Sequence, residues 1–213
     1  MLLENRREAG MQLAARLEIY LGREPLILAV PRGGVVVSEL IHRKLGGELD
    51  VVITRKIGAP HQRELAIGAT SGDGLVMLND DLVSRLGVFP DYIQKAAEKE
   101  QAEIVRRLKK YRGSRPLPRI EGRLVLVVDD GVATGYTLLT ALKSLRRHNP
   151  AELALAVPVG PPETFARLKK EVDALIYLEA PVDFAAVGQF YRDFNQVSDD
   201  EVVEILNRAW NVT

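Results

Sequence analysis

The sequence predicts an α/β fold, with an open and mostly parallel sheet that carries helices on both faces. Short, continuous apolar runs occur at residues 26–30, 124–128 and 153–158, and such runs are typical of strands buried on both faces of a parallel sheet. Segments with apolar residues at helical spacing follow these runs. Strands and helices therefore alternate along the chain, which is the pattern of repeated strand–helix–strand units.

The composition fits a single domain, residues 1–213, because 46% of the 213 residues are hydrophobic. The 29 basic residues balance the 29 acidic ones, so net charge gives no indication of a nucleic-acid partner. The chain contains no cysteine, which excludes disulfides, thiol catalysis and cysteine-ligated zinc. Its first residues lack the apolar segment of a signal peptide, and no run reaches the roughly 18 apolar residues of a membrane span. We therefore expect a cytoplasmic protein without a membrane partner.

The first elements follow from helical spacing and from the residues that interrupt it. A helix is predicted over residues 5–21, where Gly22 stops it, and the strand at 26–30 leads through a loop into a second helix. The loop contains a cation and two glycines, so its backbone can form an anion-binding nest, although a solvated turn would contain the same residues. A further strand at 49–54 ends at Arg55 and Lys56.

The middle of the chain is polar and is interrupted by glycine and proline at 58–64. After it, the pattern predicts a hairpin, a short helix and the longest helix, at residues 65–78, 80–86 and 91–112. The later elements are a strand, a helix, a last core strand and a C-terminal helix, at residues 153–158, 163–170, 174–178 and 199–210.

The region 123–139 combines an apolar strand, two carboxylates, a loop of small residues and a helix. The run 124–128 ends at Asp129 and Asp130, and the loop 131–135 then enters the helix. A helix N-terminus that follows a strand offers free N–H groups and the positive end of the helix dipole, which favour an anion. Paired carboxylates beside such a cradle suit a ligand with a phosphate at one end and vicinal hydroxyls, or a metal ion, at the other.

Three other interpretations of this region fail. A phosphate loop of the GxxxxGK[ST] kind needs lysine where Tyr136 stands, and the dinucleotide fingerprint GxGxxG is absent. A response-regulator receiver would need more alternating strands after this point than the remaining chain provides. One structural alternative stays open, namely an acid pair at a strand end followed by an ordinary helix that Thr134 caps.

The stretch VLVVDDGVATGYT resembles the thirteen-residue phosphoribosyl-diphosphate signature of the type I phosphoribosyltransferases. The resemblance implies that Asp129 and Asp130 bind the ribose 2- and 3-hydroxyls and act on a metal ion only indirectly, through those hydroxyls or water. It also implies a loop that wraps the 5-phosphate, formed by Gly131, Val132, Ala133, Thr134, Gly135, Tyr136 and Thr137.

The loop after the first strand resembles the diphosphate-binding loop of the same family, in which a basic residue precedes two glycines. The resemblance implies that the diphosphate is bound by Arg32, Gly33 and Gly34. The family commonly has a cis peptide before the glycine pair, so we expect one at Pro31–Arg32, although a cis bond before a residue other than proline costs about 2.5–4 kcal/mol.

Between two core strands the family keeps a mobile lid, which here would span about 55–120 and would shield the reaction from water. Arg55 and Lys56 look like the pair of the adenine-specific branch and would neutralise the departing diphosphate; otherwise they are two solvated cations. Glu64 is a candidate proton acceptor in this lid. The long helix at 91–112 either packs on the sheet edge or contacts a partner.

The tail, residues 181–213, resembles the hood that covers the sheet edge in purine-type members, and it follows a core of about 22–180. Its stretch YRDFN is similar to FRDLN of the hypoxanthine-guanine branch, which implies that Arg192 contacts diphosphate. Phe184, Phe190 and Tyr191 are the candidate base-binding residues, since stacking on an aromatic ring contributes roughly 1–3 kcal/mol. The alternative is aromatic packing under the C-terminal helix.

The resemblance implies a pentosyltransferase of nucleotide salvage that moves the phosphoribosyl group from phosphoribosyl diphosphate to a nitrogenous, preferably purine-like, base. Its cofactor would be Mg²⁺, its partners phosphoribosyl diphosphate and a base or nucleoside monophosphate, and a homodimer is conceivable. Ala133 stands where the hypoxanthine-guanine branch has an aspartate, and Tyr136 replaces a lysine or glycine of many relatives. The resemblance therefore does not identify the residue that accepts the proton. The alternative function is a regulator that senses phosphoribosyl diphosphate, for which residues 106–110 are the candidate basic patch.

Overall fold

The computed structural model describes residues 2–211, except for the side chains of Arg63 and Glu64. Its main sheet has five parallel strands in the order β2-β1-β6-β7-β8. These strands are β1 (Leu26–Ala29), β2 (Glu48–Val51), β6 (Leu124–Val128), β7 (Glu152–Val159) and β8 (Ala174–Glu179). The lid strands β3 (Thr54–Ala59), β4 (Gln62–Ser71) and β5 (Val76–Leu78) form a separate antiparallel sheet.

The helices are α1 (Arg6–Arg16), α2 (Gly33–Leu45), α3 (Asp80–Leu86), α4 (Pro90–Arg112), α5 (Tyr136–Arg146), α6 (Pro162–Leu168) and α7 (Asp199–Trp210). Helices α1, α2 and α7 pack on one face of the main sheet and α5 and α6 on the other, so the predicted fold class is confirmed. Alternate side chains of β6 enter different cores: Leu126 packs with residues of α1, α2 and α7, and Val127 packs with residues of α5 and α6. Successive residues of a strand point to opposite faces, which is why a continuous apolar run is needed here.

The lid differs from the prediction in its first half. The strand predicted at 49–54 ends at Val51, and Thr54 already begins β3. The polar stretch at 58–64 is not irregular, because β3 and β4 pair antiparallel around a tight turn in which His61 has φ 63°. The sequence did not predict this hairpin, because its polar side chains interrupt the alternation of apolar residues. The predicted hairpin between β4 and β5 is confirmed.

Helix α4 packs its apolar face on the lid sheet. Ile57 of β3 and Ile67 of β4 are fully buried, and Ala97 of α4 belongs to the same apolar cluster. The helix begins at Pro90, a residue suited to the first helical turn, and it is the long helix that the sequence predicted. The lid is therefore three strands with a helix laid across them.

Two helices end earlier than predicted. Helix α1 begins after Asn5, whose side chain accepts hydrogen bonds from the Arg7 and Glu8 amides, but it stops at Arg16 and a 3₁₀ turn follows at Glu18–Tyr20. Helix α6 stops at Leu168, and a second 3₁₀ turn follows at Lys169–Glu171. The C-terminal helix has the predicted bounds and is capped by Ser198.

The N-terminal segment pairs with the start of the tail. The Leu3 amide donates to the Phe190 carbonyl at 2.8 Å, and the Arg192 amide donates to the Leu3 carbonyl at the same distance. Leu3 is fully buried among the aromatic residues of the tail. None of the described helices combines the length and apolar character that crossing a membrane requires.

Candidate active site

The loops after β1 and β6 meet at the carboxyl edge of the sheet. The two strands are parallel neighbours, with Ala29 opposite Val128, and the Val30 amide donates to the Val128 carbonyl at 2.8 Å. The loop that starts at Val30 and the loop that starts at Asp129 therefore leave the sheet side by side. This is the position at which open α/β sheets bind ligands.

Asp129 and Asp130 follow β6 directly, and their side chains have different partners. The Asp129 carboxylate accepts a hydrogen bond from the Asp130 amide at 2.8 Å. Burial, together with the negative charge of Asp130, holds the pKa of Asp129 well above its ordinary value. The Asp130 carboxylate accepts a hydrogen bond from Arg6 Nε at 2.6 Å, and both side chains are largely buried.

The loop 131–135 has both bonded and free backbone N–H groups, and the Val132 amide donates to the Val159 carbonyl at 2.9 Å. Within residues 2–211, the amides of Ala133, Thr134 and Gly135 have no hydrogen-bond acceptor, and Ala133 and Thr134 are exposed. The carbonyls of the loop are held from outside, because Thr164 donates to the Ala133 carbonyl at 2.8 Å and Arg167 donates to that of Thr134. The N–H groups are thus free to bind a ligand.

Gly135 makes the turn from this loop into α5. Its φ is +72°, in the left-handed region, and a Cβ there would lie 2.8 Å from the Thr164 side chain. Helix α5 begins at the next residue, Tyr136, so its free N–H groups face the same side as the loop. The Tyr136 hydroxyl accepts a hydrogen bond from Asn79 of the lid at 3.0 Å.

The loop after β1 contains the expected cis peptide at Pro31–Arg32, which confirms that prediction. Helix α2 starts directly after it, at Gly33. A Cβ at Gly33 would lie 1.8 Å from an Asp130 carboxylate oxygen, so only glycine lets the two loops approach this closely. The Arg32 guanidinium is about one-third exposed and lies 3.9 Å from the Asp199 carboxylate of α7.

A cavity of about 500 Å³, called the donor cavity below, lies between the first loop and the two aspartates; of the predicted phosphate loop 131–137, Thr137 lines it and residues 131–136 do not. It is lined by the first loop, by both aspartates and by Arg6, Thr54, Thr137, Phe194, Gln196 and Val197. Sequence reasoning missed Thr54, Phe194 and above all Arg6, which lies 124 positions from its partner on a helix that showed only ordinary helical spacing. Its guanidinium lies 3.9 Å above the Phe194 ring and also donates to the Asn195 carbonyl at 2.8 Å.

The structure places Arg55 and Lys56 next to the donor cavity but not in it. Both lie within β3 and line a separate cleft between β3 and α4, where Arg55 Nε donates to Glu100 at 2.8 Å. Among the described residues, Thr54 and Thr137 alone line both spaces, and the Thr54 hydroxyl donates to the Thr137 carbonyl at 3.1 Å. The side chain of Glu64 lies outside the described residues.

The tail places its aromatic residues differently from the prediction. Phe190 and Tyr191 are buried, and the Tyr191 hydroxyl donates to the Asp130 carbonyl at 2.6 Å, so both residues lie behind the donor cavity instead of lining it. Phe184 stacks on Phe190 with ring centroids 5.2 Å apart. Arg192 lies outside the cavity, largely exposed and 3.5 Å from Glu4. Phe194 is the tail aromatic residue that reaches the cavity wall.

Comparison with known proteins agrees with this geometry. A family model described as "Phosphoribosyl transferase domain" matches residues 4–194. A Mycobacterium tuberculosis protein named "Putative phosphoribosyl transferase" is 41% identical over 208 residues, which are 98% of this chain and 47% of that protein. The chain thus spans about half the length of the curated relatives it matches.

Two solved structures show the same fold. The protein TT1426 from Thermus thermophilus is 40% identical, with a TM-score of 0.82 over 98% of this chain and 99% of that chain. A purine phosphoribosyltransferase from Pyrococcus horikoshii has a TM-score of 0.51 at 15% identity, over 93% of this chain and 97% of that chain, so it shows the fold alone. The family match over most of the chain decides the assignment: this chain belongs to the phosphoribosyl transferase family.

Proposed function

We propose that the chain transfers the 5-phosphoribosyl group from phosphoribosyl diphosphate to a nitrogenous base and releases diphosphate. The observation that carries this proposal is the convergence of three features on one sheet edge. They are a carboxylate pair at the end of β6, a loop with free N–H groups after it, and a cation before two glycines at the start of α2. Together they match a ligand with vicinal hydroxyls between two phosphate groups.

Each end of the donor has its own cradle. The loop 131–137 receives the 5-phosphate on its free N–H groups, and the N-terminus of α5 adds a favourable dipole. Arg32 and the N-terminus of α2 receive the diphosphate, while Asp129 and Asp130 accept hydrogen bonds from the ribose hydroxyls. The ribose anomeric carbon is then held between the two phosphate sites.

The transfer breaks the bond from the anomeric carbon to the diphosphate oxygen, and its electron pair leaves on the diphosphate. A ring nitrogen of the base supplies the pair for the new carbon–nitrogen bond, and the proton of that nitrogen passes to a carboxylate or to the departing diphosphate. Negative charge accumulates on the leaving group, so the Arg32 charge and the α2 dipole are the main electrostatic contribution of this chain.

Mg²⁺ fits this site as an ion held mainly by the ligand. Hard cations of this kind prefer oxygen donors and keep several waters when phosphates are present. Asp129 and Asp130 offer carboxylate oxygens at the donor cavity, and the described residues contain no cluster of three or more metal-binding side chains that could cage an ion. When bound, Mg²⁺ would neutralise charge on the diphosphate.

The resemblance of YRDFN to the hypoxanthine-guanine branch is the argument for a purine-like base; of this stretch Phe194 lines the donor cavity, whereas Arg192 lies outside it. A uracil phosphoribosyltransferase of Aquifex aeolicus is 32% identical over 63 residues, so pyrimidines belong in the assay. The basic patch that a transcriptional sensor would need is less free than its sequence suggests, because Arg106 and Arg107 both pair with Glu103, and Lys110 pairs with Asp199.

The proposal is tested by measuring diphosphate release from phosphoribosyl diphosphate with Mg²⁺, against a panel of purine and pyrimidine bases. We expect release with one class of base, and its loss in the double variant Asp129→Asn/Asp130→Asn. The matched control is Asp80→Asn/Asp81→Asn, which neutralises an exposed acid pair in the lid and should keep activity. Donor binding without release for any base would support the sensor, and donor binding that is indifferent to the site variant would refute the site.

A further inference from the structure

Arg6 lines the donor cavity, although it belongs to neither of the two site loops. It is the first residue of α1, directly after the helix cap Asn5, and it lies 124 positions before Asp130 in the chain. The positive end of the helix dipole favours acidic side chains in the first turn of a helix and disfavours cations there. The stability of α1 therefore does not explain an arginine at this position, and we attribute it to the contacts that Arg6 makes in the cavity.

Three contacts fix the Arg6 guanidinium in one orientation. Its Nε donates to the Asp130 carboxylate at 2.6 Å, and its Nη1 donates to the Asn195 carbonyl at 2.8 Å. The central carbon of the guanidinium lies 3.9 Å from the centre of the Phe194 ring, and only 11% of the side chain is exposed. A planar guanidinium can bind an acid along its edge while its face lies on an aromatic ring, and the ammonium of lysine cannot do both.

The backbone of Asp130 is held as well as its side chain. Its amide donates to the Asp129 carboxylate at 2.8 Å, and its carbonyl accepts a hydrogen bond from the Tyr191 hydroxyl at 2.6 Å. Gly33 leaves room for the carboxylate, because a Cβ at that position would lie 1.8 Å from it. Asp130 is thus oriented by α1 and by the tail, which are distant from it in the chain.

The position of Arg6 distinguishes the two carboxylates of the donor cavity. Adjacent carboxylates with limited access to water seldom ionise together, because their charges repel each other. Burial, followed by the charge of Asp130, holds the pKa of Asp129 well above its ordinary value, so Asp129 is the member of the pair that keeps a proton more readily. Arg6 lies against Asp130 and compensates the charge of that carboxylate. An ionised carboxylate accepts stronger hydrogen bonds than a neutral one.

We propose that Arg6 is a positioning residue of the transfer, which holds Asp130 as the ionised carboxylate that binds the ribose hydroxyls of the donor. The inference rests on the proposed function, since it assigns a further residue to the same reaction. Arg6 acts through the Asp130 carboxylate, so the chemical step described above is unchanged. The stretch 123–139 contains the carboxylate pair, and α1 supplies the cation that this pair needs.

The test is a double-variant cycle in donor binding. Phosphoribosyl diphosphate is titrated calorimetrically, with Mg²⁺, into the intact unmodified chain, Arg6→Gln, Asp130→Asn and the protein with both substitutions, and thermal unfolding of each is measured in parallel. We expect Arg6→Gln alone to weaken donor binding roughly 10- to 150-fold, the contribution of one hydrogen bond to a charged group. In the Asp130→Asn background the same substitution should change donor affinity by less than about threefold, because its partner is already neutral.

Two further variants separate positioning from an effect on folding. Arg6→Lys keeps the charge beside Asp130, so it should recover part of the affinity that Arg6→Gln loses, and it supplies a second cycle if Arg6→Gln does not fold. Arg23→Gln is the matched control, because Arg23 also pairs with a carboxylate, that of Glu152 at 2.9 Å, and also lies over an aromatic ring, that of Tyr20. Glu152 is the first residue of β7, at the amino edge of the sheet, and we expect donor affinity within about twofold of the unmodified chain.

Three results would overturn the inference. One is a folded Arg6→Gln protein with unchanged donor affinity. Another is an equal loss with and without the Asp130 carboxylate, which would make Arg6 a direct contact of the donor. The third is an Arg6→Lys protein that binds the donor no better than Arg6→Gln. Failure of the proposed function is read separately in the same titrations, as an unmodified chain that does not bind the donor or as binding that Asp130→Asn leaves unchanged, either of which would refute the carboxylate site itself.

Discussion

Replacement of Gly33 by alanine tests the close approach of the two site loops. Gly33 is the first residue of α2, and the added Cβ would lie 1.8 Å from an Asp130 carboxylate oxygen and 2.6 Å from Arg6 Nε. Real Cβ contacts are essentially never shorter than 3.0 Å, so the Asp130 carboxylate must move by about 1 Å or more. Both contacts are with side chains that line the donor cavity.

We expect an effect on donor binding and an effect on stability. A hydrogen bond to a charged group contributes about 1.5–3 kcal/mol, so loss of one bond from the displaced Asp130 carboxylate should weaken donor binding roughly 10- to 150-fold. Overpacking costs about 1–3 kcal/mol, and the lower entropy of the unfolded alanine chain offsets about 0.4–1 kcal/mol of this. The net cost is thus at most about 2.6 kcal/mol, and the melting temperature should fall by no more than about 10 °C.

The assay is calorimetric titration of phosphoribosyl diphosphate into the folded variant, with thermal unfolding measured in parallel. Gly72→Ala is the matched control, because its Cβ would meet Ile104 at an ordinary 3.5 Å, and we expect donor affinity within about twofold of the unmodified chain. In the Asp130→Ala background the contact with the carboxylate is absent and Arg6, released from its partner, is free to move away, so adding Gly33→Ala should cost little further stability. A folded Gly33→Ala protein with unchanged donor affinity would refute this account of the site.

Two further predictions concern contacts away from the donor cavity. Arg112 and Asp50 form an ion pair of 2.8 Å with both side chains at most 4% exposed, so Arg112→Met should lower the free energy of unfolding by about 3–5 kcal/mol in urea titrations, and Asp50→Asn/Arg112→Met by much less. An equal loss in both proteins would contradict this. The Tyr111 hydroxyl donates to Asp199 at 2.6 Å and helps hold the pKa of that carboxylate below its usual 3.8, so the stabilisation is present above about pH 4 and is lost as the pH falls through the lowered pKa. Tyr111→Phe should accordingly reduce the stability difference between about pH 6 and about pH 3 in chemical unfolding, and an unchanged difference would count against this role of the hydroxyl.

Local pattern predicted the elements that combine a clear period with clear end signals. The apolar run of β6, the helix that Ser198 caps and the hairpin between β4 and β5 all have the predicted position. The strand β3 was missed because Arg55 and Lys56 interrupt its apolar pattern, and pairing with β4 supplies the stability that the pattern does not show. The sequence also located both site loops, because each comes directly after a buried parallel strand.

The tail shows the limit of an assignment based on aromatic residues alone. Four aromatic residues in a short stretch indicated a surface for a base, but burial separates them into two groups. Phe190 and Tyr191 are buried beside Leu3 near the N-terminus, and Phe194 reaches the donor cavity. No local rule distinguishes these positions, since the contact that buries Phe190 comes from a residue more than 180 positions away.

The sequence by itself determined the order of strands and helices, the parallel sheet and the two loops that carry the family resemblance. These features depend on residues within one strand, one loop and one helix, so hydrophobic period and glycine positions are sufficient. Only the tertiary structure decided that Arg6 binds Asp130 and that Lys95 and Lys99 face the lid strand across a cleft. Such contacts join segments that are distant in the chain, and they depend on how the helices pack, which no short stretch of sequence specifies.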